Sequence, residues 1–106
     1  MADDQLRILT EPMYYILLSL VQPNHGYGIM QQVEELTKGR VRIGPGTLYN
    51  LLSRFQKEGL IVEISQEDRR RTYKITPKGL EVLQEEYNRL HQLLEDGRKV
   101  LKGGGC

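Results

Sequence analysis

Three consecutive arginines at positions 69–71 form the densest cluster of like charge in the sequence. Adjacent guanidinium groups repel one another, and the phosphates of a nucleic acid relieve that repulsion. Long arginine side chains also fit a narrow minor groove. Glu67 and Asp68 come just before the run, and local pairing with these two carboxylates is the alternative explanation. The cluster predicts contact with phosphate groups.

The distribution of charge along the chain favours the same chemistry. The net charge is only +1, but residues 38–78 contain ten basic and four acidic residues and so carry +6. The rest of the chain has five basic and ten acidic residues and carries −5. A basic middle between acidic ends is typical of a polyanion-binding surface, and chance solvation of the surface is the alternative.

A helix-like segment after the Gly-Pro-Gly turn at 44–46 carries the second set of candidate groups. It is expected to begin at Gly46 or Thr47 and to end at Gly59, with apolar residues spaced for one core-facing side. The other side presents hydroxyl, amide and basic groups, which can read base edges and phosphates. The glycines leave the helix N-terminus open, where amides and the helix dipole favour phosphate. An ordinary amphipathic helix with a solvated side is the alternative. The predicted DNA contacts on this helix and on the arginine run are Gly46, Thr47, Tyr49, Asn50, Ser53, Arg54, Lys57, Arg69, Arg70 and Arg71.

Catalytic chemistry has little support in the sequence. The only histidines are His25 and His91, and no serine, cysteine or carboxylate is spaced for nucleophilic or acid–base catalysis. The Gly-Pro-Gly turn lacks the Lys-Ser/Thr of a phosphate-binding P-loop. The single cysteine, Cys106, follows three glycines and predicts neither an internal disulfide nor a metal site. We therefore expect no enzyme, no cofactor and no bound metal ion.

The first two elements are predicted helices. Residues 10–21 begin with Thr10 as a cap and are apolar on two sides, which indicates burial on both. Residues 25–38 form the second helix, with Asn24 as its cap. Glycines at positions 26 and 28 are unfavourable in a first helical turn, so we expect either that something packs closely there or that the turn is irregular.

The segments that follow predict extended structure and a hairpin. Residues 40–43 alternate polar and apolar side chains, which favours a short strand or an extended link. Residues 60–65 and 71–76 are rich in branched and aromatic side chains and predict two strands joined by the loop 66–70. The residues expected to share one apolar face of this hairpin are Leu60, Val62, Ile64, Tyr73 and Ile75. Three helices followed by a hairpin are the order of a winged helix-turn-helix, whose third helix enters the major groove.

A long fourth helix is predicted from Thr76-Pro77, over about 25 residues or roughly 37 Å. Its leucines and Tyr87 form a heptad-like seam, of which one small core can cover only the first turns. The remainder would be an exposed apolar stripe, which indicates a partner. A homodimer is the simplest partner because its two-fold symmetry matches palindromic DNA, and packing back on the first helix is the alternative. The predicted dimer contacts are Met13, Leu17, Leu83, Tyr87, Leu90, Leu94 and Leu101.

The sequence therefore predicts a mainly α fold with a small β-hairpin. We expect a winged helix-turn-helix over residues 1–76, a C-terminal dimerisation helix over residues 77–102 in the same compact unit, and a flexible tail over residues 103–106. No run of 18 apolar residues and no signal-peptide pattern is present. We expect a cytoplasmic protein that does not contact membranes.

Three segments resemble the PadR family of bacterial transcriptional regulators: GPGTLYNLLSRFQKEGLI (44–61), HGYGIM (25–30) and RRRTYKITPKGLEVL (69–83). The resemblance extends over about residues 9–101, and the short C-terminal helix is similar to the compact subgroup that includes a lactococcal multidrug regulator. It implies a winged helix-turn-helix homodimer, usually a repressor, which leaves a pseudo-palindromic operator when a phenolic acid, a planar drug or another small aromatic binds. The recognition helix would begin at residues 46–49, and the wing would be residues 66–71.

The chain departs from the multidrug regulators at one point. Those proteins sandwich flat drugs with a tryptophan on the last helix, and this chain contains no tryptophan. Tyr14, Tyr15 and Tyr87 are the aromatic residues available for an effector site. A winged-helix protein-interaction module without specific DNA binding is the alternative function, because a fold alone does not fix a function.

Overall fold

The computed structural model describes residues 8–103 of the chain. Its elements are α1 (Glu11–Ser19), β1 (Asn24–His25), α2 (Gly26–Leu36), α3 (Pro45–Lys57), β2 (Ile61–Glu67), β3 (Arg70–Ile75), α4 (Pro77–Arg98) and a π-helical turn (Lys99–Gly103). The three strands form one antiparallel sheet in the order β1-β3-β2. Three helices, a hairpin and a long last helix confirm the predicted fold class.

Two helix starts follow the local sequence signals. The side chain of Thr10 accepts a hydrogen bond from the backbone N–H of Met13 at 3.3 Å, and Thr76 accepts one from Gly79 at 3.0 Å. Each threonine satisfies an N–H group that has no partner within its helix. The predicted cap at Thr10 and the predicted helix start at Thr76-Pro77 are therefore confirmed.

The predicted cap of the second helix is wrong. Asn24 lies in β1, opposite Tyr73 of β3, and His25 occupies the cap position without a side-chain hydrogen bond. The helix begins at Gly26, so the cap position falls on His25, one residue after Asn24, although His25 is itself paired in β1. The Asn24 carboxamide instead donates to Gln32 at 3.0 Å, which ties the strand to α2.

The hairpin formed by β2 and β3 is the wing of the winged helix-turn-helix. Its strands extend further towards the tip than predicted, and its turn is shorter. Glu67 pairs with Arg70, so only Asp68 and Arg69 form the turn, and the loop predicted over residues 66–70 is wrong. Asp68 and Arg69 have φ values of +52° and +65°. Positive φ at both central residues is the conformation of hairpin turns whose twist matches that of the strands.

The prediction of the apolar face of the hairpin is also wrong, by one residue. Ile61 pairs with Ile75, and both are buried, whereas Val62 and Ile64 are exposed. Leu60 is buried but precedes β2, and its backbone closes the turn after α3. Side chains alternate between the two faces of a strand. A count that starts at Leu60 instead of Ile61 therefore places Val62 and Ile64 on the buried face, where they do not lie. The segment 40–43 contains no strand and links α2 to α3.

The core is formed by apolar side chains from α1, α2, α3, the sheet and the start of α4. Met13, Leu17 and Leu83 belong to it: each is at most 7% exposed within the single chain. Their assignment to a dimer interface is therefore corrected, because they are covered without a partner. Towards its C-terminus α4 leaves the core: Leu94 is 67% exposed, and Leu101, in the π-helical turn that follows α4, is 82% exposed. The predicted exposure of the far part of this helix is confirmed.

Two further predictions concern the C-terminal tail and the absence of a membrane-spanning helix. The part of the predicted tail at residues 104–106 lies outside the described residues. Within residues 8–103, no helix combines the length and the apolar character needed to cross a lipid bilayer.

Candidate nucleic-acid interface

Helix α3 is held on the core by one side and exposed on the other. Leu48, Leu52 and Phe55 are buried along its inner side. The seven predicted contacts on this helix are all exposed: Gly46, Thr47, Tyr49, Asn50, Ser53, Arg54 and Lys57. The helix begins at Pro45, one residue earlier than predicted, because proline suits the first helical position.

The N-terminus of α3 is open. Gly44 occupies the cap position without a side-chain hydrogen bond. A methyl group added at Gly44 or at Gly46 would meet no atom of the chain within 4 Å. These glycines are therefore not required by packing within residues 8–103.

One predicted contact on α3 has an internal partner. The Arg54 guanidinium lies 3.2 Å from the Glu58 carboxylate, one helical turn away. The arginine side chain is 58% exposed, and exposed pairs of this kind contribute about 0–1 kcal/mol to stability. The pair is therefore weak enough for Arg54 to exchange its partner.

The arginines at 69–71 lie at the tip of the wing and are exposed. Within the described part of the chain, none of the three forms a salt bridge. Glu67 and Asp68 are close to them in sequence, but within residues 8–103 their carboxylates form no salt bridge with these arginines. Local neutralisation, the alternative explanation for this cluster, is therefore not seen.

A cleft of about 440 Å³ separates the wing from the first turns of α2 and α3. It is lined by His25, Gly26, Tyr27, Tyr49, Asp68, Arg69, Arg70, Arg71 and Tyr73. Three arginines against one aspartate give this cleft a net charge of +2, with histidine counted as neutral. The cleft thus joins the basic wing to the exposed side of α3.

Gly26 and Gly28 allow the close packing that the sequence predicts at the start of α2. A methyl group at Gly26 would overlap the hydroxyl group of Tyr49 and lie 2.9 Å from its ring carbon Cζ. A methyl group at Gly28 would overlap the side-chain oxygen of Asn24. Tyr49 therefore lies across the first turn of α2 and connects two helices of the site.

Tyr27 and His25 line the cleft but are absent from the predicted contacts. Tyr27 is 64% exposed although it lies in the first turn of a helix that packs on the core. An exposed tyrosine at a helix start is a weak signal in a sequence. Only the fold, which brings the wing next to Tyr27, shows that this residue belongs to the site.

A second groove, of about 320 Å³, lies between α1 and α4. Tyr14 and Tyr15 both line it, with ring centroids 6.0 Å apart at an interplanar angle of 72°. Burial raises the pKa of the Tyr14 hydroxyl, and the neighbouring Tyr87 and Glu86 raise it further. Two of the three predicted effector residues thus line this groove, and Tyr87 is close enough to influence one of them.

The groove also contains a buried carboxylate. Glu86 is 5% exposed, and Arg89 donates two hydrogen bonds to it, at 2.9 and 2.6 Å. The hydrogen bond to Glu86 raises the pKa of the arginine. A two-fold hydrogen-bonded pair neutralises the charge that burial would otherwise penalise. Among residues 8–103 no group of histidine, cysteine and carboxylate side chains is arranged to hold a metal ion.

Known proteins resemble the chain over most of its length. The model of the PadR-like family of transcriptional regulators matches residues 16–85. The transcriptional regulator Rv3488 of Mycobacterium tuberculosis is 37% identical over 82 residues, which cover 74% of this chain and 71% of that protein. A transcriptional regulator of Clostridium thermocellum has a similar structure, with a TM-score of 0.73 and 28% identity over 84% of this chain and 88% of that one.

One relative is much longer than this chain. An uncharacterized 37.1 kDa protein in transposon TN4556 of Streptomyces fradiae is 34% identical over 71 residues, which cover 67% of this chain and 20% of that protein. The chain thus spans about a fifth of the length of that relative. The family match confirms the prediction of a regulator rather than an enzyme: this chain belongs to the PadR-like family of transcriptional regulators.

Proposed function

We propose that the protein is a cytoplasmic, dimeric transcriptional regulator that binds a pseudo-palindromic operator, and that it acts as a repressor. The observation that carries the proposal is the wing, where three exposed arginines adjoin the exposed side of α3 and form no salt bridge with any carboxylate of residues 8–103. Phosphate groups would neutralise these arginines, and α3 would enter the major groove beside them. Base contacts would come from Asn50 and Arg54, whose side chains can form paired hydrogen bonds to adenine and guanine.

The test is binding of the purified protein to its own upstream DNA and to a scrambled duplex, at two salt concentrations. We expect a preference for the upstream duplex, and an affinity that falls steeply as salt rises. The double substitution Arg69→Ala with Arg70→Ala should reduce the salt slope by about 0.9 for each phosphate that the variant no longer neutralises. Equal and weak binding to both duplexes would contradict a sequence-specific regulator.

Dimerisation would use the exposed apolar stripe of α4 within the proposed dimerisation helix, residues 77–102. Tyr87, Leu90, Leu94 and Leu101 are exposed in the single chain, and an apolar stripe of this length is stabilised by a partner. Leu94→Glu should convert a dimer into a monomer in light scattering. His91→Glu adds the same charge beside the stripe and should leave the dimer intact. A wild-type monomer at all concentrations would contradict the proposal.

Release from the operator would follow binding of a small aromatic effector in the groove between α1 and α4. Tyr14 and Tyr15 offer ring faces there, and Leu9 and Leu90 add apolar surface. A ligand weakens DNA binding only if it prefers a dimer in which the two recognition helices are wrongly spaced. A panel of phenolic acids and planar dyes, tested against the operator complex, examines this part of the proposal. No change in operator affinity with any of them would contradict it.

A protein-interaction module is a second candidate, which the exposed stripe of α4 also supports. It predicts a heteromeric partner on that stripe and no preference between the two duplexes. The same binding measurement therefore separates the two functions.

A further inference from the structure

The cleft between the wing and the helices has a position that matters for DNA binding. In a winged helix-turn-helix the third helix lies in the major groove and the wing lies over the neighbouring backbone or minor groove. The sugar-phosphate strand that separates those grooves must then pass between α3 and the wing. The cleft of about 440 Å³ is the space between these two elements.

The chemistry of the cleft suits a phosphate-bearing strand. Its charge is +2, and it is lined beside the arginines by the exposed residues Tyr27 and Tyr49 and by the buried Tyr73. Tyr27 and Tyr49 are both more than half exposed. Within residues 8–103 neither hydroxyl has a hydrogen-bond partner, unlike that of Tyr15, which accepts a hydrogen bond from Arg40 at 2.9 Å. Arginine and tyrosine are both regular donors to phosphate oxygens.

Gly26 sets the position of one of these hydroxyls. Any larger residue there would overlap the end of the Tyr49 side chain. With glycine, the ring lies across the first turn of α2 and its hydroxyl lies in the wall of the cleft. Tyr49 is therefore less suited to reading a base edge than its place on the recognition helix indicates.

We propose that this cleft binds one strand of the DNA backbone, that the Tyr27 and Tyr49 hydroxyls donate to its phosphates without contributing charge, and that Gly26 positions Tyr49. The inference rests on the proposed function and adds to it Tyr27, Gly26 and a role for uncharged donors. The tyrosines fix the register of the protein on the strand, and the arginines supply the electrostatic attraction.

The test uses the full chain with Tyr27→Phe and Tyr49→Phe, each of which removes only a hydroxyl. Gln31→Ala, which removes an exposed uncharged donor of α2 that does not line the cleft, is the control. Each cleft variant should lower affinity about 3- to 10-fold, for the upstream duplex and for a random-sequence duplex alike. The salt slope should stay at the wild-type value, because an uncharged donor releases no counterion, whereas Arg70→Ala should lower it by about 0.9.

Three results would overturn the inference. One is a Tyr27→Phe variant that binds both duplexes as tightly as the Gln31→Ala control does. Another is a loss confined to the upstream duplex, which would make the tyrosines base readers. The third is competition by inorganic phosphate, at matched ionic strength, that lowers DNA binding of the wild type but not of Tyr27→Phe. This result would indicate that the cleft is a site for free anions. A wild type without preference for the upstream duplex contradicts the proposed function instead, so the two failures are distinguishable.

The role of Gly26 is tested by a double-mutant cycle. Gly26→Ala should lower affinity in the wild-type background and have no further effect when Tyr49 is already phenylalanine. A merely structural role would give additive losses. The melting temperature of each variant checks the fold, and since both tyrosines are exposed, the phenylalanine variants should melt as the wild type does.

Discussion

Replacing Arg69 by glycine should make the fold more stable and DNA binding weaker. Arg69 has a φ of +65° in the turn of the wing. This left-handed conformation costs a non-glycine residue about 1–2 kcal/mol. Glycine adopts it freely but loses about 0.5–1 kcal/mol more than other residues on folding, because its unfolded chain is freer. The expected net gain is about 0.5–1 kcal/mol, which raises Tm by about 2–8 °C for a domain of this size.

Nothing in the described chain offsets this gain. The Arg69 side chain is exposed and forms no salt bridge within residues 8–103. Its removal therefore costs the folded monomer no interaction. In the DNA complex the same side chain would neutralise a phosphate, so its removal should lower the slope of log affinity against log salt by about 0.9.

The assay combines thermal unfolding with a salt series of DNA binding. Asp68→Gly is the matched control, because Asp68 shares the turn with a φ of +52°. Aspartate tolerates this conformation better than arginine, so the control should gain less stability. It removes a negative charge and should bind DNA at least as tightly as the wild type. An Arg69→Gly protein that melts below the wild type would refute the strain argument, and one with the wild-type salt slope would refute the phosphate contact.

Three further predictions concern stability. Gly79→Ala should lower the free energy of unfolding, measured in urea, by about 2–3 kcal/mol, because a methyl group there would overlap the backbone carbonyl of Leu60. A loss below about 1 kcal/mol would show that α4 shifts easily to make room. Gly97 lies on α4 in open space, so Gly97→Ala should raise the free energy of unfolding by about 0.5–1 kcal/mol. A lower free energy of unfolding would instead indicate that a partner packs against this position. The raised pKa of Tyr14 means that its neutral form is favoured by folding, so this stabilisation is complete below pH 10.0 and is lost as pH rises through the higher folded value. Tyr14→Phe should therefore flatten the alkaline loss of Tm, and an unchanged profile would contradict this.

Sequence reasoning succeeded where the signal is local. Thr10 and Thr76 cap their helices because a hydroxyl followed by a helical turn needs no other part of the chain. The inner side of α3 follows from the spacing of its apolar residues. The exposure of the far part of α4 follows from the limited size of a small core.

It failed where a distant segment decides the structure. Strand β1 is two residues long, too short for a periodic pattern, and it exists because β3 lies beside it. The face of β2 depends on where the strand begins, and burial of both Leu60 and Ile61 hides that point in the sequence. The turn at Asp68 and Arg69 contains no glycine, so the usual signal for positive φ is missing.

The candidate interface shows the same division. The polar side of α3 and the arginine run could be predicted from the sequence, because the first follows from the spacing of residues and the second from their charge. The cleft could not be predicted, because it joins Tyr27, Tyr49 and the wing, which only the tertiary fold brings together. The glycine at Gly26 gave a correct expectation of close packing without naming the neighbour.

The separation of the two cavities limits how an effector can act. The cleft at the wing and the groove between α1 and α4 share no lining residue, so a molecule in the groove does not occupy the cleft that we propose to bind DNA. One chain of contacts leads from the groove towards α3: the ring of Tyr14 packs edge-on against that of Tyr15, whose hydroxyl accepts a hydrogen bond from Arg40 at 2.9 Å in the link to α3. If an effector binds in the groove, it would therefore act on the placement of α3, through this link or through the packing of α4 in the proposed dimer. In either case it can shift DNA affinity only by as much as it distinguishes the two placements.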